Sequence, residues 1–287
     1  MPPPSANSAG KADEHFQHYT LKHHVVSWVS RNLFDRYTYT VRHGLLSGLK
    51  RRGGLGWVPQ VFAGSIETAE IDFWRKLSLG GLTVYDVGAF EGLLALFFAS
   101  RAKKVICYEP NSRNHARLLD NIRLNGFTNV TVRKTGVGET PQKIELTWNP
   151  AMPGGASAES ATAAHLRDSV SGARVETIPI TTLDDDFEAN GLPPPDLIKI
   201  DIEGWELPAL KGARRLLHQF GPALYLEMHG ETMADKKRKV EDIVRFLEDT
   251  GYAVIEHIET GQRVTTANCD IAAEGHLYCP RNAGPRI

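Results

Sequence analysis

From His15 to about Leu49 apolar residues recur at helical spacing, with Val25, Val26, Trp28, Val29, Leu33 and Phe34 on the repeating positions. A glycine break follows at Arg52-Gly53-Gly54-Leu55-Gly56. Residues 66–78 repeat the helical pattern through Ile66, Ala69, Ile71, Phe73 and Trp74, and end at the Gly80-Gly81 turn. Beyond Gly81 the texture changes to short apolar runs alternating with helical ones. Leu82–Asp86 reads as a buried strand, Gly92–Arg101 as a helix, Lys104–Glu109 as a strand, Arg113–Asn125 as a helix and Val130–Thr135 as a third strand. Such alternation predicts βαβ units and a parallel sheet.

The series then pauses. Lys143–Trp148 and Val175–Thr181 read as strands on either side of a long Ala/Ser/Gly-rich loop, Asn149–Gly172, whose length marks it as a candidate lid. The alternation resumes with the strand Leu197–Asp201, a helix over Leu207–Gln219, the strand Ala223–Met228 and a helix over Lys236–Asp249. Two last strands, Ala253–Ile258 and Leu277–Pro280, read as an antiparallel closing pair. The pattern predicts a doubly wound, Rossmann-like α/β fold with a seven-stranded sheet over residues 80–287, a helical extension over 15–79 and a disordered Pro/Ser/Ala-rich tail over 1–14.

Composition narrows the class. With 287 residues, 41% of them hydrophobic, the chain can bury one large core, and its net charge of −1 gives no global reason to expect nucleic acid as a partner. No apolar run reaches the roughly 20 residues of a membrane span, so stable membrane insertion is not expected. The three cysteines, Cys107, Cys269 and Cys279, make neither a CxxC pair nor an even disulfide framework, and a reducing cytoplasm suits them. A homo-oligomer stays open. The basic stretch Arg36, Arg42, Lys50, Arg51 and Arg52 reads as a solvated face, with an anionic partner as the alternative.

The first chemical signal is Val84-Tyr85-Asp86-Val87-Gly88-Ala89-Phe90-Glu91-Gly92, a strand, a glycine turn and a helix start. Glu109 ends the next strand, near the ~20-residue distance at which a carboxylate grips ribose hydroxyls. Together they point to a nucleoside cofactor. Phe90 and Glu91 stand where a dinucleotide enzyme needs room for pyrophosphate, and S-adenosylmethionine, which carries no phosphate, avoids that conflict.

Asp86-Val-Gly-Ala-Phe-Glu-Gly92, Tyr108-Glu109-Pro110-Asn111, Leu119-Asp-Asn121-Ile122, Gly136-Val-Gly138, Thr182-Leu183-Asp184, Ile198-Lys-Ile-Asp-Ile-Glu-Gly-Trp-Glu206 and Glu227-Met-His229 together resemble the FkbM family of methyltransferases over roughly residues 80–282. Family members commonly carry Asn-Ile or similar where this chain has Phe90-Glu91. The resemblance implies an S-adenosylmethionine-dependent methyltransferase, with O-methylation of a hydroxyl on a sugar, lipid or polyketide-like small molecule expected first; N-methylation of an amide or amine, or a non-catalytic S-adenosylmethionine-binding protein, are the rivals. It further implies cofactor contacts from Asp86, Gly88, Ala89, Phe90, Glu91, Gly92, Glu109, Pro110, Asn111, Gly136, Val137 and Asp201. Acceptor contacts are expected from Lys199, Glu203 and Trp205.

The second signal lies at two strand ends. Asp201, with Glu203 beyond it, and Glu227 with His229 should converge on one rim, where ligands bind in open α/β sheets. Lys199 inside an apolar strand needs a partner, and Asp86 or Asp201 is the expected one. Asp201, Glu227 and His229 are the candidate catalytic residues, with a neutral His229 favoured as the base that takes the hydroxyl proton. The same three groups would make an oxygen/nitrogen metal-ligand set, but no spacing motif demands a metal, and none is expected.

Overall fold

The computed structural model describes residues 35–53, 68–149, 156–157 and 173–281. The expected tail over 1–14, the helix over 15–34 and most of the candidate lid lie outside the described residues.

Where the N-terminal extension is described, part of its helical reading is overturned. Thr38–Thr40 (β1) and Lys50–Arg52 (β2) pair antiparallel, Thr38 opposite Arg52. β-branched threonines favour extended backbone, and Gly44 and Gly48 supply the positive φ values of 79° and 87° in the connecting turn. Among the described residues, two of the five basic residues form ion pairs. Arg52 meets Asp120 at 3.0 Å, and Arg51 lies 3.8 Å from Glu91. The only further extension helix among the described residues is Ala69–Lys76 (α1), N-capped by the Thr68 hydroxyl, which accepts from Ile71 N.

The domain beyond follows the expected alternation. In order come Thr83–Val87 (β3), Leu93–Ala99 (α2), Lys104–Tyr108 (β4), Ser112–Leu124 (α3), Val130–Arg133 (β5), Gly136–Val137 (β6), Gln142–Trp148 (β7), Ala156–Ser157 (β8) and Arg174–Thr181 (β9). Leu183–Asn190 (α4), Leu197–Ile200 (β10), Glu206–Lys211 (α5), Arg214–Phe220 (α6), Ala223–Glu227 (β11), Met233–Asp249 (α7), Glu256–His257 (β12), Gln262–Arg263 (β13) and His276–Cys279 (β14) complete it.

The main sheet runs β13-β12-β14-β11-β10-β3-β4-β5. β11, β10, β3, β4 and β5 are parallel, and β14 closes antiparallel on β11. Eight strands stand where seven were expected, because the chain turns at Gly261 (φ 64°) and lays the two-residue β13 beside β12. The expected strand Ala253–Ile258 is thereby reduced to Glu256–His257. The chain winds outward from β3 through β4 and β5, then crosses to β10 on the other side of β3. That reversal puts the topological switch point between β3 and β10, where a ligand crevice is expected.

Strand alternation distributes the core over both faces of the sheet. Tyr85, Ile106, Tyr108, Ile198 and Ile200 pack on one side, and Val84, Val105, Cys107, Leu197 and Tyr225 on the other. The single helix expected over Leu207–Gln219 is broken into α5 and α6. Gly212 sits against the Gly138 carbonyl, where a Cβ would overlap it, and the Asp184 carboxylate accepts from Arg215 N and Leu216 N, giving α6 its own N-terminal cap. A second sheet, β6-β9-β7-β8, stands apart, built on the antiparallel β7–β9 pair. Among the described residues no helix is long and apolar enough to cross a membrane.

Candidate active site

The carboxyl ends of β3, β4 and β10 open into one cleft with about 950 Å³ of unfilled space, its mouth included. Gly88 follows β3 at φ 83°, and a Cβ there would overlap the Asp201 carbonyl oxygen, so only glycine lets the two strand ends approach. Gly88 N and Ala89 N both donate to the Tyr108 carbonyl at 3.0 Å, which folds the turn over the end of β4. Phe90 then takes φ 49°, a left-handed conformation that a non-glycine residue holds only when its surroundings enforce it. Part of the enforcement comes from Glu109, whose carboxylate accepts from Phe90 N at 2.8 Å and from Asn111 N at 2.9 Å. Burial pushes the Glu109 carboxyl up from 4.5 to about 7, against those two amide bonds.

Gly88, Phe90, Glu109, Pro110, Gly136, Val137, Asp201, Glu203 and Trp205 all face this cleft. Five other expected cofactor residues do not. Asp86 is wholly buried behind Lys199, and Ala89 is buried in the core under α2. Glu91 turns towards Arg51, and its carbonyl accepts from the Asn121 side chain at 2.8 Å. Gly92, at φ 94°, makes room for Leu118 of α3. Asn111 caps α3, its side chain accepting from Arg113 N and Asn114 N. These residues shape the turn rather than line it.

The opposite wall consists of Ile144 and Leu146 from β7 and Ile178 and Ile180 from β9. None of the four was singled out from sequence, although their period-2 spacing, with Glu145 and Pro179 between them, carries the signal of a one-sided strand pair. Trp205 closes the cleft beside Gly138, which has no side chain to displace it.

Lys199 is not an acceptor contact. It is buried and pairs in register with Asp86 on β3, its ammonium 3.4 Å from Asp86 and 3.1 Å from Asp201 Oδ2, and it donates to the Gly88 carbonyl at 3.0 Å. Burial opposes its charge, but Asp201 and Asp86 outweigh that and hold the ammonium protonated. The expected partnership is therefore present, and it pins the glycine turn to the β10 end.

Beyond Asp201 the chain makes a tight turn in which Glu203 adopts φ 55° and Gly204 φ 103°. The buried Glu206 secures this turn, its Oε1 accepting from Ile202 N at 3.3 Å and from Gly204 N at 3.0 Å. That same oxygen lies 3.0 Å from His229 Nδ1. The other ring nitrogen, Nε2, stands 3.8 Å from Asp201 Oδ1, 3.7 Å from Glu203 Oε2 and 3.7 Å from Glu227 Oε1. Asp201, Glu203, Glu227 and His229 thus meet at one rim. Burial would lower the His229 pKa, but the hydrogen bond to Glu206 and the charges of Glu206, Glu203 and Asp201 raise it to about 10. The expectation of a neutral imidazole titrating near pH 6.5 does not hold for these protein groups on their own. Asp201 moves the other way: burial disfavours its charge, yet Lys199 and then His229 hold its carboxyl below the ordinary range.

The profile of the methyltransferase FkbM domain matches residues 86–254, more than half of the chain. No curated protein gives a match. Among solved structures, the methyltransferase FkbM from Methylobacillus flagellatus KT is similar at 23% identity and a TM-score of 0.45, over 69% of this chain and 43% of that one. The chain thus spans less than half the length of that protein. A precorrin-6y C5,15-methyltransferase from Geobacter metallireducens GS-15 is similar at 16% identity (TM-score 0.38, 64% and 69% covered). A ribosomal protein L11 methylase from Lactobacillus delbrueckii subsp. bulgaricus is similar at 16% identity (TM-score 0.40, 75% and 76% covered). At these scores the structural likenesses say nothing of mechanism, and the assignment rests on the family match. By that match, the chain belongs to the FkbM family of methyltransferases.

Proposed function

We propose that this chain methylates a hydroxyl group of a small molecule, glycan or lipid, with S-adenosylmethionine as methyl donor. The observation that carries the reading is that the cleft of Gly88 and Glu109 is also lined by Asp201 and Glu203, with His229 and Glu227 grouped behind those two carboxylates rather than lining the cleft themselves.

The cleft suits that donor. Glu109 offers carboxylate oxygens for ribose hydroxyls, and Pro110, Val137 and Ile202 give apolar surface for a base. The Gly88, Ala89 and Phe90 amides, which a pyrophosphate would need, already donate to Tyr108 and Glu109, and among the described residues no lysine or arginine lines the cleft to replace them. When bound, S-adenosylmethionine supplies a sulfonium-borne methyl, which the acceptor oxygen takes as the carbon–sulfur bond breaks and its electron pair goes to sulfur.

The chain's own work is alignment and proton removal. Asp201 is the group we assign to accept the hydroxyl proton, because its Oδ1 is left facing the rim while Oδ2 is occupied by Lys199. Glu203 and Trp205, both on the cleft, orient the acceptor, and His229, fixed by Glu206, holds the acidic rim together. An amine acceptor would need no such array of carboxylates to become nucleophilic, which is why the hydroxyl is preferred.

Methyl-labelled S-adenosylmethionine incubated with the protein and a cell extract tests this. The expected outcome is a labelled methyl ether, with incorporation falling at least a hundredfold in Asp201→Asn. A labelled N-methyl product, or an undiminished rate in that variant, would overturn the acceptor or the base assignment respectively.

A further inference from the structure

We infer that Asp201, Glu227 and His229 form a binding site for one divalent metal cation at the rim of the cleft. One donor atom from each lies within 4.8 Å of the others. His229 bonds neither carboxylate: its Nε2 is 3.7 Å from Glu227 Oε1 and 3.8 Å from Asp201 Oδ1, beyond hydrogen-bond range. Atoms about 2.0–2.2 Å from a shared cation stand roughly 3.0–3.6 Å apart, so a small inward movement completes the coordination.

What distinguishes this set from a chance group of acids is how each donor is held from behind. Glu206, buried and already accepting two backbone amides, takes His229 Nδ1, which turns Nε2 towards the carboxylates, where an incoming cation would displace its proton and take the freed lone pair. Lys199 takes the far oxygen of Asp201, and His276 Nε2 lies 3.8 Å from the far oxygen of Glu227. A carboxylate bonded behind the histidine, a lysine bonded behind Asp201 and an imidazole close behind Glu227 match the outer-shell arrangement of a metal centre. Charge points the same way. Asp201, Glu203, Glu206 and Glu227 surround His229, with His276 beside Glu227 and Lys199 shared with Asp86, so carboxylates outnumber the positive groups. The mixed nitrogen and oxygen donors suit Mn²⁺ or Zn²⁺ better than Ca²⁺.

Three protein donors leave further coordination positions free, and Asp201 and Glu203 border the cleft, so those positions open towards the acceptor. Resting on the methyl-transfer reading, a cation there would bind the acceptor oxygen and lower the hydroxyl pKa; with Asp201 Oδ1 then engaged as a ligand, Glu203 on the cleft would take over from it as the proton acceptor.

The test is Mn²⁺ binding to the full chain after chelator treatment, read by loss of the free-ion electron paramagnetic resonance signal. S-adenosylhomocysteine is titrated calorimetrically into the same samples. One Mn²⁺ per chain is expected, with affinity weakened at least tenfold in Asp201→Asn and in Glu227→Gln. The positioning variant Glu206→Gln should weaken it about 10–100-fold while leaving all three donors in place. Circular dichroism establishes that each variant is folded, and two isosteric variants guard against the loss of either one. A folded wild-type protein that takes up no Mn²⁺ at millimolar concentration overturns the site, as does uptake that all three variants leave unchanged. If S-adenosylhomocysteine still binds in that case, only the cation falls; if it does not, the methyl-transfer reading falls as well.

Discussion

Glu109 is the residue at which burial and charge oppose each other most directly. Its carboxyl is about 5% exposed, yet both oxygens already serve backbone amides, and burial lifts its pKa from 4.5 to about 7. The native state therefore keeps a proton that the unfolded chain gives up sooner. Below about pH 4.5 the carboxyl is neutral in both states and carries no penalty; as pH rises through 7 the unfolded state is favoured progressively. Relative to Glu109→Gln, the wild-type protein should lose up to about 3 kcal/mol of stability between pH 4.5 and pH 8. Urea unfolding of both proteins at the two pH values checks this, and a constant difference would contradict the buried, partly protonated carboxyl. Ligand binding should move in the opposite sense, because an ionised carboxylate is the better partner for ribose hydroxyls. Affinity for S-adenosylhomocysteine is expected to rise roughly tenfold from pH 6 to pH 8 in the wild type and to stay flat in Glu109→Gln.

At the scale of elements, the cleft is made by joining two structures with different origins. The parallel strands β3, β4 and β10 supply its polar floor, and the β7–β9 pair supplies an apolar wall from outside the main core. Leu146, Ile178 and Ile180 form a small cluster of their own, separate from the two large cores. Their wall is tied back to the domain at the start of α3, where Ser112 N and Ser112 Oγ both donate to Glu176 of β9. Truncating Ile178 to Ala removes buried surface from that small cluster alone, at a cost of about 2–4 kcal/mol. The loss should appear as faster hydrogen exchange confined to β7 and β9, with the amides of β3, β4 and β10 keeping their protection. Uniformly faster exchange would mean that the wall and the sheet unfold as one unit. α3 does a comparable job on its other flank. The Asn121 and Asn125 side chains accept from Arg52 N and Lys50 N, so that helix docks both the N-terminal hairpin and the glycine turn.

For the molecule as a whole, what could be read from sequence was what depends on local periodicity and on position relative to a strand end. The strands from β3 to β5, the glycine turn, Glu109 and the acidic ends of β10 and β11 follow from apolar runs and their terminating residues. What escaped depended on contacts between distant segments. The split of α5 from α6 follows from a Gly212–Gly138 approach across the fold, which no local pattern encodes. Thr38–Thr40 lies in a stretch with helical apolar spacing, and its strand is fixed instead by pairing with β2, which docks on α3. The ionisation of His229 is decided by Glu206, 23 residues away in sequence, which the turn after β10 brings to 3.0 Å. Lys199, the one charge inside an apolar strand, was legible as a residue needing a partner. Its register with Asp86 required the sheet order.

The central claim is that the crevice between Gly88 and Glu109 holds S-adenosylmethionine, and calorimetric titration with S-adenosylhomocysteine tests it most directly. The account predicts one site per chain, competed for by S-adenosylmethionine and indifferent to NADH. Its affinity should fall by about 1–3 kcal/mol in Glu109→Ala, the scale of a lost charge-assisted hydrogen bond. Unchanged affinity in that variant, or displacement of the ligand by NADH, would contradict it.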